Sequence, residues 1–335
     1  MNEYSYIKRA ILRELSEDSR MSVTALAMKL KCARNTIISN MDILEKEFDL
    51  HYTVEFNKEK LGLSQNQIWT IKFGKKPEPS EITRIFKDDN FVQFVAETKG
   101  DFDLLINIVA TSTEQYLTWG MKTVLQLVEY RPTIRSSFIS LVHVGYIPVQ
   151  NTVLENLDLS QLGLDDLDKK ILLLLSENSR FTYHTMAKKL NENVETIRYR
   201  LRKILNTKII KRFTVILNKP PTDYNMAFFL YHDLAPGILE RYKEAQDYYL
   251  EVDGKLPIIN TFQYLALTSG SYLTFGIGCF DTEEDAIKKG IIAHRELYKE
   301  DSAKVYFAKI TNVSKGYIPI RNIDMEKNFR PLKIT

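Results

Sequence analysis

A chain that repeats itself folds as repeated units, so internal similarity constrains this sequence more than any local pattern. ILRELSEDSR from Ile11 is answered by ILLLLSENSR from Ile171, and LAMKL ending at Leu30 by MAKKL ending at Leu190, each 160 residues on. TVEFNK from Thr53 returns as TVILNK from Thr214 after 161 residues, and TKGDFDL from Thr98 as TSGSYLT from Thr268 after 170. GYIPVQN from Gly145 returns as GYIPIRN from Gly316 after 171. A separation that only grows while the order is kept points to one duplication followed by short insertions. The 335 residues therefore divide into two units, each with two parts.

The first part of each unit is helical. Ile7, Ile11 and Leu15 lie four apart on one helical face, as do Leu167, Ile171 and Leu175. After the polar turns SEDSR and SENSR, Ser22 and Thr182 are N-caps for a short second helix. A third helix begins three or four residues later, with Asn193 a good cap in the second unit and Ala33 a poor one in the first. Two short helices joined so tightly read as a helix-turn-helix, and the runs TVEFN and TVILN read as the strand of a wing. A three-helix packing bundle is the alternative, and charge shifts the balance against it.

The chain holds 46 Lys and Arg against 43 Asp and Glu, a formal charge of +3, which excludes a uniformly basic coat but not a local patch. Such a patch lies on the third helix of the second unit. With Ile197, Leu201 and Ile204 inward, Glu195, Tyr199 and Arg202 face outward, and Thr196, Arg198 and Lys203 lie at the margins. From Thr196 to Arg212 the chain carries Arg198, Arg200, Arg202, Lys203, Lys208, Lys211 and Arg212 with no acid among them. In the first unit the stretch from Thr36 to His51 has Lys46 alone against Asp42, Glu45, Glu47 and Asp49. The second helix-turn-helix is thus the expected DNA reader. Thr196, Arg198, Tyr199 and Arg202 are the expected groove contacts, and Lys203, Lys208, Lys211 and Arg212 the phosphate contacts.

The second part of the first unit reads as strand (IWTIKF from Ile68), helix after Pro79, strand (FVQFVAET), turn at Lys99 and Gly100, and strand (FDLLINIVA). The second unit follows with MAFFLYHDL, a helix over Tyr242 to Tyr249, FQYLALTS, Gly270 and SYLTFGIGCF. Each then enters a helix through a capping box, Thr111 with Glu114 and Asp281 with Glu284, and closes with a strand that ends at Tyr146 or Tyr317. That order is βαββαβ, the ferredoxin-like arrangement of a four-stranded antiparallel sheet with helices on one face, whose exposed opposite face invites face-to-face pairing between the two units of one chain. The fold class expected is α+β: two tandem copies of a winged helix-turn-helix followed by a ferredoxin-like effector domain. The boundaries expected are 1–58, 59–150, a linker at 151–163, 164–219, 220–322 and a tail at 323–335.

Taken together, a helix-turn-helix followed by βαββαβ resembles the Lrp/AsnC (feast/famine) transcriptional regulators over nearly the whole chain, twice. LDDLDKKILLLLSENSR from Leu164 is similar to the start of that family's DNA-binding domain, and TKGDFDLL from Thr98 to the glycine turn of its effector (RAM-type) domain. The resemblance implies double-stranded DNA as partner and an oligomer, for which one tandem chain supplies a pseudo-dimer. It also implies a small-molecule effector, such as an amino acid, near Gly100, Asp101 and Asp103, and in the second unit near Gly270, Ser271 and Leu273. Asp103 would meet an ammonium group. The equal alternative is that both glycines only permit a hairpin and Asp103 is a solvated strand residue.

Other chemistry is not written in the sequence. Cys32 and Cys279 stand alone, offering neither a disulfide framework nor a thiolate metal site, and fit a reducing cytoplasm. No apolar run approaches the roughly 18 residues of a membrane helix. His51, His143, His184, His232 and His294 form no motif, and no glycine-rich phosphate loop or hydrolase elbow is present. The expectation is a regulator that is not an enzyme and needs no cofactor. The rival is a sirohaem decarboxylase, an enzyme group with this same layout, which would call on His143, His232 and Arg135 to hold an acidic tetrapyrrole; a protein-interaction scaffold is a third reading, which leaves the Arg198 to Arg212 cluster unexplained.

Overall fold

The computed structural model describes residues 6–217, 224–232, 262–272, 274–280 and 303–317, with single positions at 282, 284 and 286. The expected helix over Tyr242 to Tyr249, Leu273, the Asp281 cap and the tail at 323–335 lie outside the described residues.

Helices α1 (Tyr6–Glu17), α2 (Val23–Leu30) and α3 (Arg34–Glu47) form the first trio, and strand β1 (Leu50–Phe56) follows. The same order returns as α7 (Asp166–Glu177), α8 (Tyr183–Leu190), α9 (Val194–Asn206) and β6 (Ile210–Leu217). The apolar faces read from the spacing are those that pack: Ile11, Leu15, Leu26 and Ile37 in one core, Ile171, Leu175, Met186 and Ile197 in the other. The two strands do not form a wing within each unit. They pair with each other, antiparallel, with Thr53 opposite Thr214. Leu50 and Tyr52 of β1 join Val215 and Leu217 of β6 in the first core, while Val54, Phe56 and Ile210 join the second. A lone strand leaves its backbone groups unpaired, and each unit satisfies that need with the strand of the other.

Reciprocal contacts mark an approximate two-fold between the trios. The hydroxyls of Ser19 and Ser179 lie 2.6 Å apart, Ser19 N donates to Phe213 O (3.1 Å), and Ser179 N donates to Tyr52 O (3.0 Å). Arg20 donates to Phe181 O (3.3 Å) and stacks on Phe213, while Arg180 donates to Met21 O (2.7 Å) and stacks on Tyr52.

The rest of the first unit is β2 (Gln65–Phe73), α4 (Pro79–Phe86), β3 (Val92–Gly100), β4 (Leu104–Ala110), α5 (Thr113–Leu127) and β5 (Pro132–Val144), in βαββαβ order. The second unit contributes β7 (Tyr224–His232), β8 (Phe262–Gly270), β9 (Thr274–Phe280) and β10 (Ala303–Lys315). Its sheet order β8-β9-β7-β10 repeats β3-β4-β2-β5, and the two sheets close into one eight-stranded barrel through β5–β8 and β10–β3. The expected face-to-face pairing is thus corrected: the units join at their sheet edges, because closure removes the edges that four-stranded sheets would leave open. Alternation along each strand then decides the layers. Ile68, Phe94, Leu105, Tyr264 and Phe275 fill the barrel, while Trp69, Ile71, Ile106 and Ile108 turn outward onto Ile82 and Phe86 of α4 and Trp119 and Leu127 of α5.

Two local expectations change. The segment expected to be a linker holds a short helix, α6 (Asn151–Asn156), and buries Val153, Leu154, Leu157 and Leu159 in the second trio's core. Its apolar spacing makes it part of that domain. Helix α5 is capped one residue later than Thr111: Ser112 Oγ accepts from Gln115 N (3.2 Å), and Gln115 Oε1 accepts from Thr111 N (3.1 Å). Among the described residues no helix is long and apolar enough to cross a membrane, and no cluster of His, Cys, Asp and Glu could hold a metal ion.

Candidate nucleic-acid interface

Helix α9 is positioned from both ends. Asn193 Oδ1 accepts from Thr196 N (2.7 Å), which satisfies a first-turn donor and leaves Thr196 half-buried beside the cap. Before it, Asn191 takes the left-handed conformation (φ 54°) that closes α8 and turns the chain, a conformation asparagine tolerates well. At the matching position the first unit has Lys31 (φ 53°), a less suitable residue. Ile197, Leu201 and Ile204 are buried, so Arg198, Tyr199 and Arg202 face solvent, with Tyr199 66% exposed.

The structure divides the expected cation cluster into two sets. Arg200 Nη1 lies 2.5 Å from Asp165 Oδ2 and 3.3 Å from Asp168 Oδ2, and Lys203 Nζ lies 2.7 Å from Asp168 Oδ2. Asp168 is fully buried, where an unpaired carboxylate would be costly, so these two cations hold α9 against the start of α7. The hydrogen bond from the backbone of Asp168 holds the Asp165 carboxyl below its ordinary range, and the bond to Asp165 raises Arg200. Lys211 Nζ lies 2.8 Å from Glu55 Oε1, and Arg212 reaches both Glu55 (Nε, 2.6 Å) and Glu17 (Nη1, 3.2 Å). Lys203, Lys211 and Arg212, expected on phosphates, are therefore already paired with carboxylates. Those acids come from α1, β1 and α7, distant in sequence, which is why the segment itself reads as unpaired.

The second set faces outward. Arg202 and Lys208 are exposed and have no carboxylate partner among the described residues. Arg198 is exposed but pairs with Glu195 (2.7 Å) and lies over the Tyr183 ring. Lys188, at the end of α8, is also exposed. Its place one residue before Lys189 in MAKKL is a signal that attention to α9 alone misses.

On α3 the positions matching Arg198, Tyr199, Arg202 and Leu205 are Ile38, Ser39, Asp42 and Glu45, all exposed. Met28 stands where α8 has Lys188, and Ala33 caps nothing. That surface carries acid and apolar groups at the positions where the other carries cations.

The residues expected at an effector site sit on the seams between the units. Gly100 (φ 152°) and Gly270 (φ 124°) end their strands in conformations that side chains disfavour. A Cβ on Gly100 would lie 2.5 Å from Phe307 O, and one on Gly270 would lie 2.9 Å from Ser136 O. These glycines serve close backbone approach between units, beyond a local hairpin. Asp101 Oδ2 accepts from Phe307 N (2.9 Å), and Ser271 N donates to Ser136 O (3.0 Å). Asp103 is 14% exposed and accepts from Lys72 Nζ (3.1 Å) and Phe73 N (3.0 Å), so its charge is already met within the first unit. Of the residues the rival enzyme would use, Arg135 lies 5.0 Å over the Tyr306 ring, and the side chains of His143 and His232 lie outside the described residues.

Comparison with known proteins adds four matches. The model of the AsnC-type helix-turn-helix domain matches residues 164–204. An uncharacterized HTH-type transcriptional regulator of Pyrococcus furiosus is 30% identical over 112 residues, which are 33% of this chain and 69% of that protein. Another from the same organism is 48% identical over 65 residues, 19% of this chain and 44% of that protein. The chain spans about half the length of most of the curated relatives it matches. Among solved structures, the siroheme decarboxylase NirDL aligns with a TM-score of 0.55 over 96% of this chain and 97% of that one, at 14% identity, which shows a shared fold.

Proposed function

Because the chain belongs to the family of AsnC-type helix-turn-helix transcriptional regulators, we propose that it binds double-stranded DNA and regulates transcription in the cytoplasm, without catalysis. Helix α9 enters the major groove and the surrounding cations fix it on phosphates. The observation that carries this reading is the outward face of α9, where Tyr199, Arg202 and the neighbouring Lys188 and Lys208 are exposed on the segment that matches the family model. The first trio, acidic at the matching positions, packs and orients the second. The two units descend from one duplicated unit, a reading supported by the reciprocal contacts of Ser19 with Ser179 and of Arg20 with Arg180. An amino-acid-like effector at the hairpin ends belongs to the same proposal. Since Asp103 is already paired, a shift in unfolding temperature on adding free amino acids is the direct test of it.

Arg202→Ala is expected to weaken binding to a selected DNA site by roughly 1–3 kcal/mol if it reads a base. Lys208→Ala is expected to reduce the salt slope of binding by about one, while Lys211→Ala, neutralised by Glu55, leaves it nearly unchanged. Binding that survives replacement of Lys188, Tyr199, Arg202 and Lys208 together would remove the assignment. Mapping of bound DNA across the genome is expected to show enrichment at promoters, and a strong visible band with a sirohaem-type tetrapyrrole would instead favour the enzyme.

A further inference from the structure

Helix α5 is anchored on one side and bare on the other. Trp119 Nε1 donates to Asp89 Oδ2 (2.8 Å), Trp69 Nε1 donates to the Tyr116 hydroxyl (2.8 Å), and a Cβ on Gly120 would lie 3.3 Å from the Trp69 ring. The helix is thus pressed onto β2, and its outward face is fixed in place. On that face Leu117, Met121, Val124 and Leu125, with Val128 in the turn that continues the helix, are 39% to 71% exposed. Leu117, Met121, Val124 and Val128 follow one another at steps of four, three and four, the a/d spacing by which one helix packs along another. A surface helix normally shows one apolar stripe, and this one shows two.

We propose that this seam binds the same seam of a second copy of the chain, antiparallel, with the two-fold axis midway between Met121 and Val124. Leu117 of one helix then lies beside Val128 of the other and Met121 beside Val124, and the acid Glu114 stays beyond the seam. The area fits this occupant. The five side chains leave roughly 400 Å² of apolar surface bare in each copy, as much as the largest patch of a typical monomer. Two copies closing on it bury about 800 Å² from the apolar seam alone, and the exposed rim of Thr118, Lys122 and Gln126 brings the contact to about the 1,000 Å² of a specific interface. A single polar partner would cover the seam without matching it. In sequence the matching positions 170 residues on read Ile287, Ile291, His294, Arg295 and Tyr298, so His and Arg stand where the first unit has Val124 and Leu125. A patch that meets its own copy about a two-fold axis closes at two copies. The dimer does not depend on DNA binding, but under the function proposed above it provides a second α9, which the acidic first trio cannot.

The test is the mass of the full chain in solution without DNA. Light scattering at micromolar concentration is expected to give twice 39.0 kDa for the natural chain, and 39.0 kDa for Met121→Glu combined with Leu125→Glu, with an unchanged circular dichroism spectrum. A natural chain that is monomeric, or a folded double variant that remains a dimer, overturns the proposal. Should the double variant unfold, an equal mixture of Met121→Cys and Val124→Cys chains, each in a Cys32→Ser background, decides: mild oxidation is expected to give a covalent dimer joining position 121 of one chain to position 124 of the other, and its absence overturns the proposal equally. Because neither measurement involves DNA, failure here is distinct from failure of the DNA-binding reading.

Discussion

Gly100→Ala is expected to destabilise the protein by about 3 kcal/mol or more, as measured by denaturant unfolding. Two costs combine at this position. The backbone angle (φ 152°) is one that side chains rarely adopt, and the added Cβ would meet Phe307 O at 2.5 Å and Ala308 Cα at 2.8 Å. Both obstacles are backbone atoms of β10, held by pairing with β3 on one side and β7 on the other, so neither can swing aside. The strand would have to move, opening one of the two seams that close the barrel. Gly62 provides the comparison: its φ is also positive (73°), but nothing lies within 4 Å of an added Cβ. Gly62→Ala should therefore cost only the conformational part, about 1–2 kcal/mol. Equal losses at the two positions would show that the approach between the units does not limit what Gly100 can be.

The same glycine shows how far the sequence could be read. TKGDF marks a turn, and β3 and β4 flank it as the alternation requires, but the reason for glycine lies in Phe307, more than 200 residues away. Local features were legible because their causes are local: the faces of Ile11 and Leu15, the Asn193 cap and the exposure of Tyr199 all follow from residues within a few turns. The strands TVEFN and TVILN were legible as strands, while their partners were not, since pairing of β1 with β6 is decided by how two units meet. The pairing within the cation cluster was illegible for the same reason. Its composition was plain, but Asp168 and Glu55, which claim four of the seven cations, approach only on folding. Left over after such pairing are Arg198, Arg202 and Lys208, all exposed, so a charge count identifies the region but not the members.

Glu55→Ala should produce the second large effect, a loss of about 3 kcal/mol that persists at high salt. Glu55 is nearly buried in β1 and meets both Lys211 and Arg212 of β6, so one carboxylate neutralises two cations across the strand pair that joins the trios. On its removal the partners fare differently. Lys211, more than half exposed, can turn to water, whereas Arg212, 15% exposed, keeps only Glu17, which is itself largely in solvent. A guanidinium left half-paired in a protein interior is the costly outcome, and it sets the expected magnitude. The exposed Arg198–Glu195 pair on α9 should behave oppositely: Glu195→Ala is expected to cost no more than about 0.5 kcal/mol, and added salt should erase that difference. Because β1 and β6 serve both helical cores, Glu55→Ala is also expected to weaken DNA binding although Glu55 faces away from α9. Restored stability and binding in Glu55→Gln, which keeps hydrogen bonding but not charge, would show that geometry alone holds the trios together.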